Sequence, residues 1–309
     1  MKRCPNCQKR YSDQAQFCIG CGSELEFYDR KPSKGSLIVK GILKTFCYIF
    51  LMVGIQNLIA TAFLSAVMLG DPVIMAGIME GKFDNMAVMQ QLSEILFSNY
   101  TMILLVANLV TILIISLFFT FRKKNPAEEV MLRPVKKLVL PVCALYGIAL
   151  NIFISVTMSL LPIPVEMLEE LDGQYDMLFG QTSLVVEILS TAVLTGLVEE
   201  IIFRGLALSR LKRGMSRTAA VVVSAVIFGM FHGAFVAVVY ATVLGIVFGF
   251  LADRHNSILP TVVCHIFFNA TSFFLVTEDA FLLLSLYFLS IVVLFVGSYI
   301  LFKKDRIEE

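Results

Sequence analysis

Long apolar runs alternate with short polar stretches along almost the whole chain. A helix that crosses a bilayer needs about 20 apolar residues. Eight runs meet that length or approach it: roughly 38–69, 101–121, 138–161, 183–208, 217–235, 236–252, 257–277 and 280–302. The first is long enough to tilt or to extend past the bilayer. The fifth and sixth meet around Gly233, and together they form either two short spans or one span plus a re-entrant piece. The pattern predicts an all-α polytopic membrane protein of about eight transmembrane helices, preceded by a small polar N-terminal module.

Composition agrees. Of the 309 residues, 58% are hydrophobic and only 16% charged, whereas soluble domains are about 45–50% apolar and roughly 25% charged. The chain starts MKRCPNCQKRY, without an apolar h-region before Leu37, so no signal peptide is expected. Charge then orients the spans. With a cytosolic N-terminus, 24 of the 25 Lys and Arg fall on the inner side, and Lys82 is the exception. The other side collects acids: Asp71, Glu80, Asp84 and Glu94 in one loop, and Glu166, Glu169, Glu170, Asp172 and Asp176 in another. By the positive-inside rule both termini are cytoplasmic and the protein lies in the cell membrane.

Seven cysteines divide into two sets. Cys47, Cys143 and Cys264 are scattered in apolar runs. Cys4, Cys7, Cys18 and Cys21 form CPNC and CIGC, ten residues apart, a spacing that lets four thiolates reach one tetrahedral ion. Residues 1–25 are expected to be a zinc-ribbon held by structural Zn2+, followed by a linker over 26–37. So short a segment cannot build a sufficient core, so the ion would supply much of its folding energy. Four thiolates leave no open position for catalysis. The ribbon offers a surface for a protein partner; with few aromatics and no long basic run, nucleic acid is not expected.

Ionisable residues inside spans are candidate functional groups. Glu199, Glu200 and Arg204 lie on the fourth run, His232 near the end of the fifth, and His265 and Asn269 on the seventh. Glu187 falls near the outer end of the fourth and reads as interfacial, and His255 sits in the polar turn DRHNS. Glu200 and Arg204 stand at i and i+4 and can pair, as a support that fixes the helix. Glu199 is turned about 100° away and is expected to face a cavity. His265 and Asn269 share a face and can donate to a developing oxyanion.

EEIIFRG (199–205), FGMFH (228–232) and HIFFN (265–269) resemble the three motifs of the CPBP family, the CAAX proteases and bacteriocin-processing enzymes also called Abi: EExxxR, FxxxH and HxxxN. The resemblance covers about 180–275 and makes 180–277 the catalytic core. It leaves 38–179 as helices 1–3 with their loops, and 278–309 as the last helix and tail. It implies an intramembrane protease acting on a membrane-associated or prenylated peptide. Glu199 would be the catalytic acid, His232 would polarise water, and His265 and Asn269 would steady the oxyanion, with Glu200 and Arg204 supporting. Two His and a Glu could instead hold a metal, but HExxH is absent, and glutamate-activated water is the favoured reading.

The competing readings are a non-catalytic immunity or regulatory protein on the same fold and, less favoured, an ion- or proton-coupled transporter, for which no internal repeat is evident. Two further expectations are geometric. The cavity should open toward the cytosol. On straight helices His232 lies about 22 Å from the cytosolic side, against about 13–15 Å for Glu199 and His265, so a break or tilt is required to bring them together.

Overall fold

The computed structural model describes residues 2–12, 14–27, 32–79, 86–178, 180, 182–275 and 279–303. Linker residues 28–31, loop residues Glu80, Lys82 and Asp84, and Lys304, Asp305 and Arg306 of the tail lie outside the described residues. Three two-residue strands, β1 (Lys2–Arg3), β2 (Arg10–Tyr11) and β3 (Glu26–Phe27), pair antiparallel in the order β2-β1-β3. Beyond the linker the described chain is helical.

Each of the eight apolar runs carries a helix. Five are long and apolar enough to cross a membrane: α1 (Lys34–Gly70), α4 (Tyr100–Phe121), α6 (Val139–Leu160), α12 (Phe235–His255) and α14 (Ala280–Phe302). The other three depart from the expectation of eight full spans. The 184–211 helix is a composite, α8 (Leu184–Glu187), a π-helical turn (Ile188–Leu194), α9 (Thr195–Glu200), a second π segment (Ile201–Leu208) and α10 (Ser209–Leu211). Helices α11 (Arg217–Met230) and α13 (Leu259–Thr271) have 14 and 13 residues. At 1.5 Å per residue they are about 20 Å long, short of a hydrocarbon core of about 30 Å.

Backbone chemistry explains why hydropathy overran them. After Met230 the apolar run continues, but the His232 N–H turns back to Gly229 O at 2.9 Å, and Gly233 takes φ 76°. That left-handed residue reverses the chain into α12. The hairpin closes tightly: a Cβ on Gly229 would lie 2.0 Å from Thr242 Oγ1. At the other short helix, Asn256 at φ 49° and Pro260 set the start, and turns over 272–274 end it while the sequence is still apolar.

The acidic loops contain helices of their own, α2 (Pro72–Met79), α3 (Met86–Ser98) and α7 (Val165–Leu178). A single turn of helix, α5 (Pro126–Glu129), follows α4. Alternating chain direction puts the ribbon, α5 and the basic connections on one face and the acidic helices on the other. All eight residues of Ile201–Leu208 are buried, so this segment is the centre of the bundle. α14 is peripheral: only 11% of its apolar window is buried, and Phe281, Phe288 and Phe295 are left for lipid.

Candidate active site and cysteine cluster

Glu199 and Glu200 close α9, between the two π segments. Such π turns insert a residue into the α repeat and occur often at functional sites. This one is tied down from outside. Ser190 donates its hydroxyl to Thr101 O at 2.8 Å, and Asn108 Nδ2 donates to Thr195 Oγ1 at 2.9 Å. The Thr195 hydroxyl in turn donates to Ser190 O at 3.0 Å, five residues back. Helix α4 thereby fixes the register that carries the two acids.

The i,i+4 pairing of Glu200 and Arg204 is present. Both side chains are fully buried, and Arg204 Nη1 donates to Glu200 Oε1 at 2.7 Å. A buried pair is tolerable only where further groups satisfy it. Arg204 Nη2 reaches Gly245 O at 3.4 Å, and its guanidinium lies over the rings of Phe228 and Phe248, 4.3 and 5.4 Å from their centroids. Such cation–π contacts strengthen when water is excluded.

Glu200 has a second partner that spacing in the sequence does not announce. His265 Nδ1 lies 3.0 Å from Glu200 Oε1, while its Nε2 lies 3.6 Å from Glu199 Oε2. The imidazole thus stands between the two carboxylates. A proton on Nδ1, the position that gives Glu200 a hydrogen bond, leaves the Nε2 lone pair facing Glu199. At 3.6 Å the two acceptors are too far apart for a direct hydrogen bond, and both can face one water lying beside them.

Asn269, one turn along α13, donates Nδ2 to Thr191 O at 3.2 Å, a carbonyl of the first π segment. One of its two N–H groups is therefore committed to the scaffold. His232 sits in the break after α11 with Nδ1 2.9 Å from Phe228 O. Its ring packs on Phe228 at 4.6 Å, and Phe228 lies 6.2 Å from His265. The break at 231–234 supplies the departure from straight helices that the depth count requires. Glu187, near the outer start of the 184–211 helix, is buried and accepts from Thr182 N at 2.9 Å. His255 lies 3.2 Å from Leu301 O and joins α12 to α14, away from these groups.

A cavity of two lobes, about 380 and 180 Å3, runs beside this cluster. Glu199, His232 and Thr195 border both lobes; His265 and Asn269 border the smaller. Tyr100, Tyr175 and Leu178 border the larger one, and these belong to the acidic face, with Tyr175 and Leu178 on α7. Among the described residues, none of the basic connections lines either lobe. The expected opening toward the ribbon side is therefore corrected: the walls reach the opposite face. There α7 packs on the start of α12 and on α4, and Leu171, Tyr175 and Leu178 form that wall.

Among the described residues, the one set of three or more His, Cys, Asp or Glu with converging ligand atoms is Cys4, Cys7, Cys18 and Cys21, whose atoms all lie within 4.8 Å of one another. Contacts of 3.3 Å (Cys4–Cys21) and 3.4 Å (Cys7–Cys18) compare with about 3.8 Å between sulfurs around a tetrahedral zinc. The cluster could hold a metal ion such as zinc. The Tyr11 hydroxyl, 3.0 Å from Cys18 Sγ, holds that thiol down to about 6, which favours the thiolate a metal requires. Glu199, His232 and His265 do not converge in this way.

Comparison with known families places a match on this part of the chain. Residues 181–271 match the family described as Type II CAAX prenyl endopeptidase Rce1-like. The matched segment holds Glu199, Glu200, Arg204, His232, His265 and Asn269, and bears out the resemblance carried by the three motifs. It excludes the ribbon, α1 to α7 and α14. No match to the chain was found among curated proteins or among solved structures.

Proposed function

We propose that this chain is an intramembrane endopeptidase that hydrolyses a peptide bond of a membrane-associated, prenylated substrate with water activated by Glu199. The observation that carries the reading is the placement of His265 between Glu199 and Glu200. Glu200, charged and braced by Arg204, accepts the Nδ1 proton and so sets the tautomer, as an orienting carboxylate does for a catalytic histidine. Nε2 and the Glu199 carboxylate can then each accept one hydrogen of the same water.

Glu199 takes a proton as the water oxygen bonds to the carbonyl carbon. The tetrahedral oxyanion is met by the second N–H of Asn269 on the cavity wall, while His232, whose Nδ1–H is given to Phe228 O, lines the same wall with Nε2 as an acceptor. The C–N bond breaks as Glu199 returns its proton to the leaving amine. Because the ligand atoms of Glu199, His232 and His265 do not converge on one point, none of these steps is routed through a metal.

The four ribbon thiolates are proposed to hold structural zinc, with both termini cytoplasmic. The test uses the full chain in proteoliposomes and a farnesylated peptide ending in a CAAX sequence. Release of the terminal tripeptide is expected from the unmodified protein. Glu199→Gln, nearly isosteric, should reduce it by about 100-fold or more, the contribution of a general base. Undiminished release from a folded Glu199→Gln protein would sink the mechanism.

A further inference from the structure

The larger lobe has a wall that the family match does not include. Helices α1 and α4 contribute Gln56 and Tyr100 to it, in the same lobe as Glu199 and His232. Most polar groups around the cavity are committed. The Thr195 hydroxyl bonds Asn108 and Ser190, one Asn269 N–H bonds Thr191, and Tyr175 and Tyr240 bond each other. Among the described residues no hydrogen bond reaches the Gln56 side-chain amide or the Tyr100 hydroxyl. Gln56 is half-buried, and a primary amide on a largely apolar cavity wall has few partners besides water or a ligand; an apolar residue would suit that face of α1 better.

The missing partner has a definite chemistry. A peptide held for cleavage in such a cavity lies extended, with backbone N–H and C=O groups that no bulk water satisfies. A carboxamide presents one acceptor and two donors, the complement of an extended backbone. A phenol adds a donor beside it. We propose that Gln56, assisted by Tyr100, is a substrate-positioning residue that holds the extended backbone of the peptide against Glu199. The proposal rests on the endopeptidase reading and adds to it a docking wall outside the matched segment.

The experiment uses the full chain in proteoliposomes and the farnesylated CAAX peptide as probe. Gln56→Leu should raise KM about tenfold with kcat within about twofold, the size expected when one backbone group is left unpaired. Gln56→Asn should recover part of the loss, and Tyr100→Phe should raise KM by a smaller factor. A set of probes with one backbone N–H each replaced by ester oxygen separates positioning from folding: at one position the ester should weaken binding to the unmodified protein but not to Gln56→Leu. Binding is read in a Glu199→Gln background, which keeps it independent of turnover. No cleavage by the unmodified protein counts against the proposed reaction alone. Equal affinity with and without the Gln56→Leu substitution, absence of binding, or a KM change accompanied by a lower unfolding temperature overturns the role of Gln56.

Discussion

The cysteine cluster of the ribbon and the charged centre of the bundle are both gatherings of polar side chains, and they are held in opposite ways. Cys4 and Cys18 are buried beside Leu25, with Tyr11 and Ala15 packed against them, a core far too small to order two dozen residues. The cluster can persist only if something binds it. Glu200 and Arg204 are buried at and beside the fully buried segment Ile201–Leu208, with Phe203, Phe228 and Phe248 around them. There the scaffold surrounds the charges and supplies most of their partners, with Glu200 Oε2 left without one among the described residues. A polar cluster in water is thus ordered by a ligand, and one in lipid by the protein itself.

That contrast can be broken at several points, and the effects descend in size. The largest is catalytic: Glu199→Gln should abolish about 99% of cleavage or more while leaving the unfolding temperature unchanged, because Glu199 is outside the Glu200–Arg204 pair. Next is Arg204→Leu, which leaves the Glu200 carboxylate buried without its cation. A loss of about 3–5 kcal/mol of stability is expected, read as reduced yield and early thermal unfolding in detergent. A milder change follows metal removal. Chelation should unfold residues 2–27, seen by hydrogen exchange, with cleavage within about twofold of its starting rate; a parallel loss of activity would show that the two regions are coupled.

The smallest effect is at the basic face. Lys124 Nζ, 2.7 Å away, and Arg210 behind it hold the Glu129 carboxyl below its ordinary 4.5. A depressed carboxylate stabilises the fold above that value, and the contribution is lost as pH falls through the lower folded pKa. Glu129→Gln should therefore cost up to about 1 kcal/mol at neutral pH. The difference from the unmodified protein should start to shrink near pH 4.5 and vanish only in acid below the depressed folded pKa.

Much of this architecture is legible in the sequence, because the bilayer demands apolar length and the chain complies in all eight runs. What hydropathy misses is where helices stop. Phe231, Phe235 and Leu275 are as apolar as the helices they flank, so the breaks beside His232 and after Asn269 are set by Gly233 and by local turns. The acids of 165–178 mark a loop correctly, yet their spacing conceals a helix whose Leu171 and Leu178 cover the cavity. The Glu200–Arg204 pair follows from i,i+4 geometry. The Glu200–His265 bond spans 65 residues, and nothing in one sequence reports such a contact. Gln56 and Tyr100 are quieter still, single polar side chains in long apolar helices that acquire meaning only from the wall they share.

The two π segments make the chemistry depend on counting. Between Ile188 and Leu194 the helix carries a residue more than α geometry needs, and Glu199 meets His265 with that surplus in place. Deleting one residue there would leave composition and hydropathy almost untouched. The π turn would close to plain α and the downstream face would hold, whereas the same deletion in the α turn that follows, before Glu199, would turn the acid by about 100° relative to the first turn, and the carboxylate would leave the imidazole. In this helix a shift of reading register, with no change of residue type, is enough to separate acid from base.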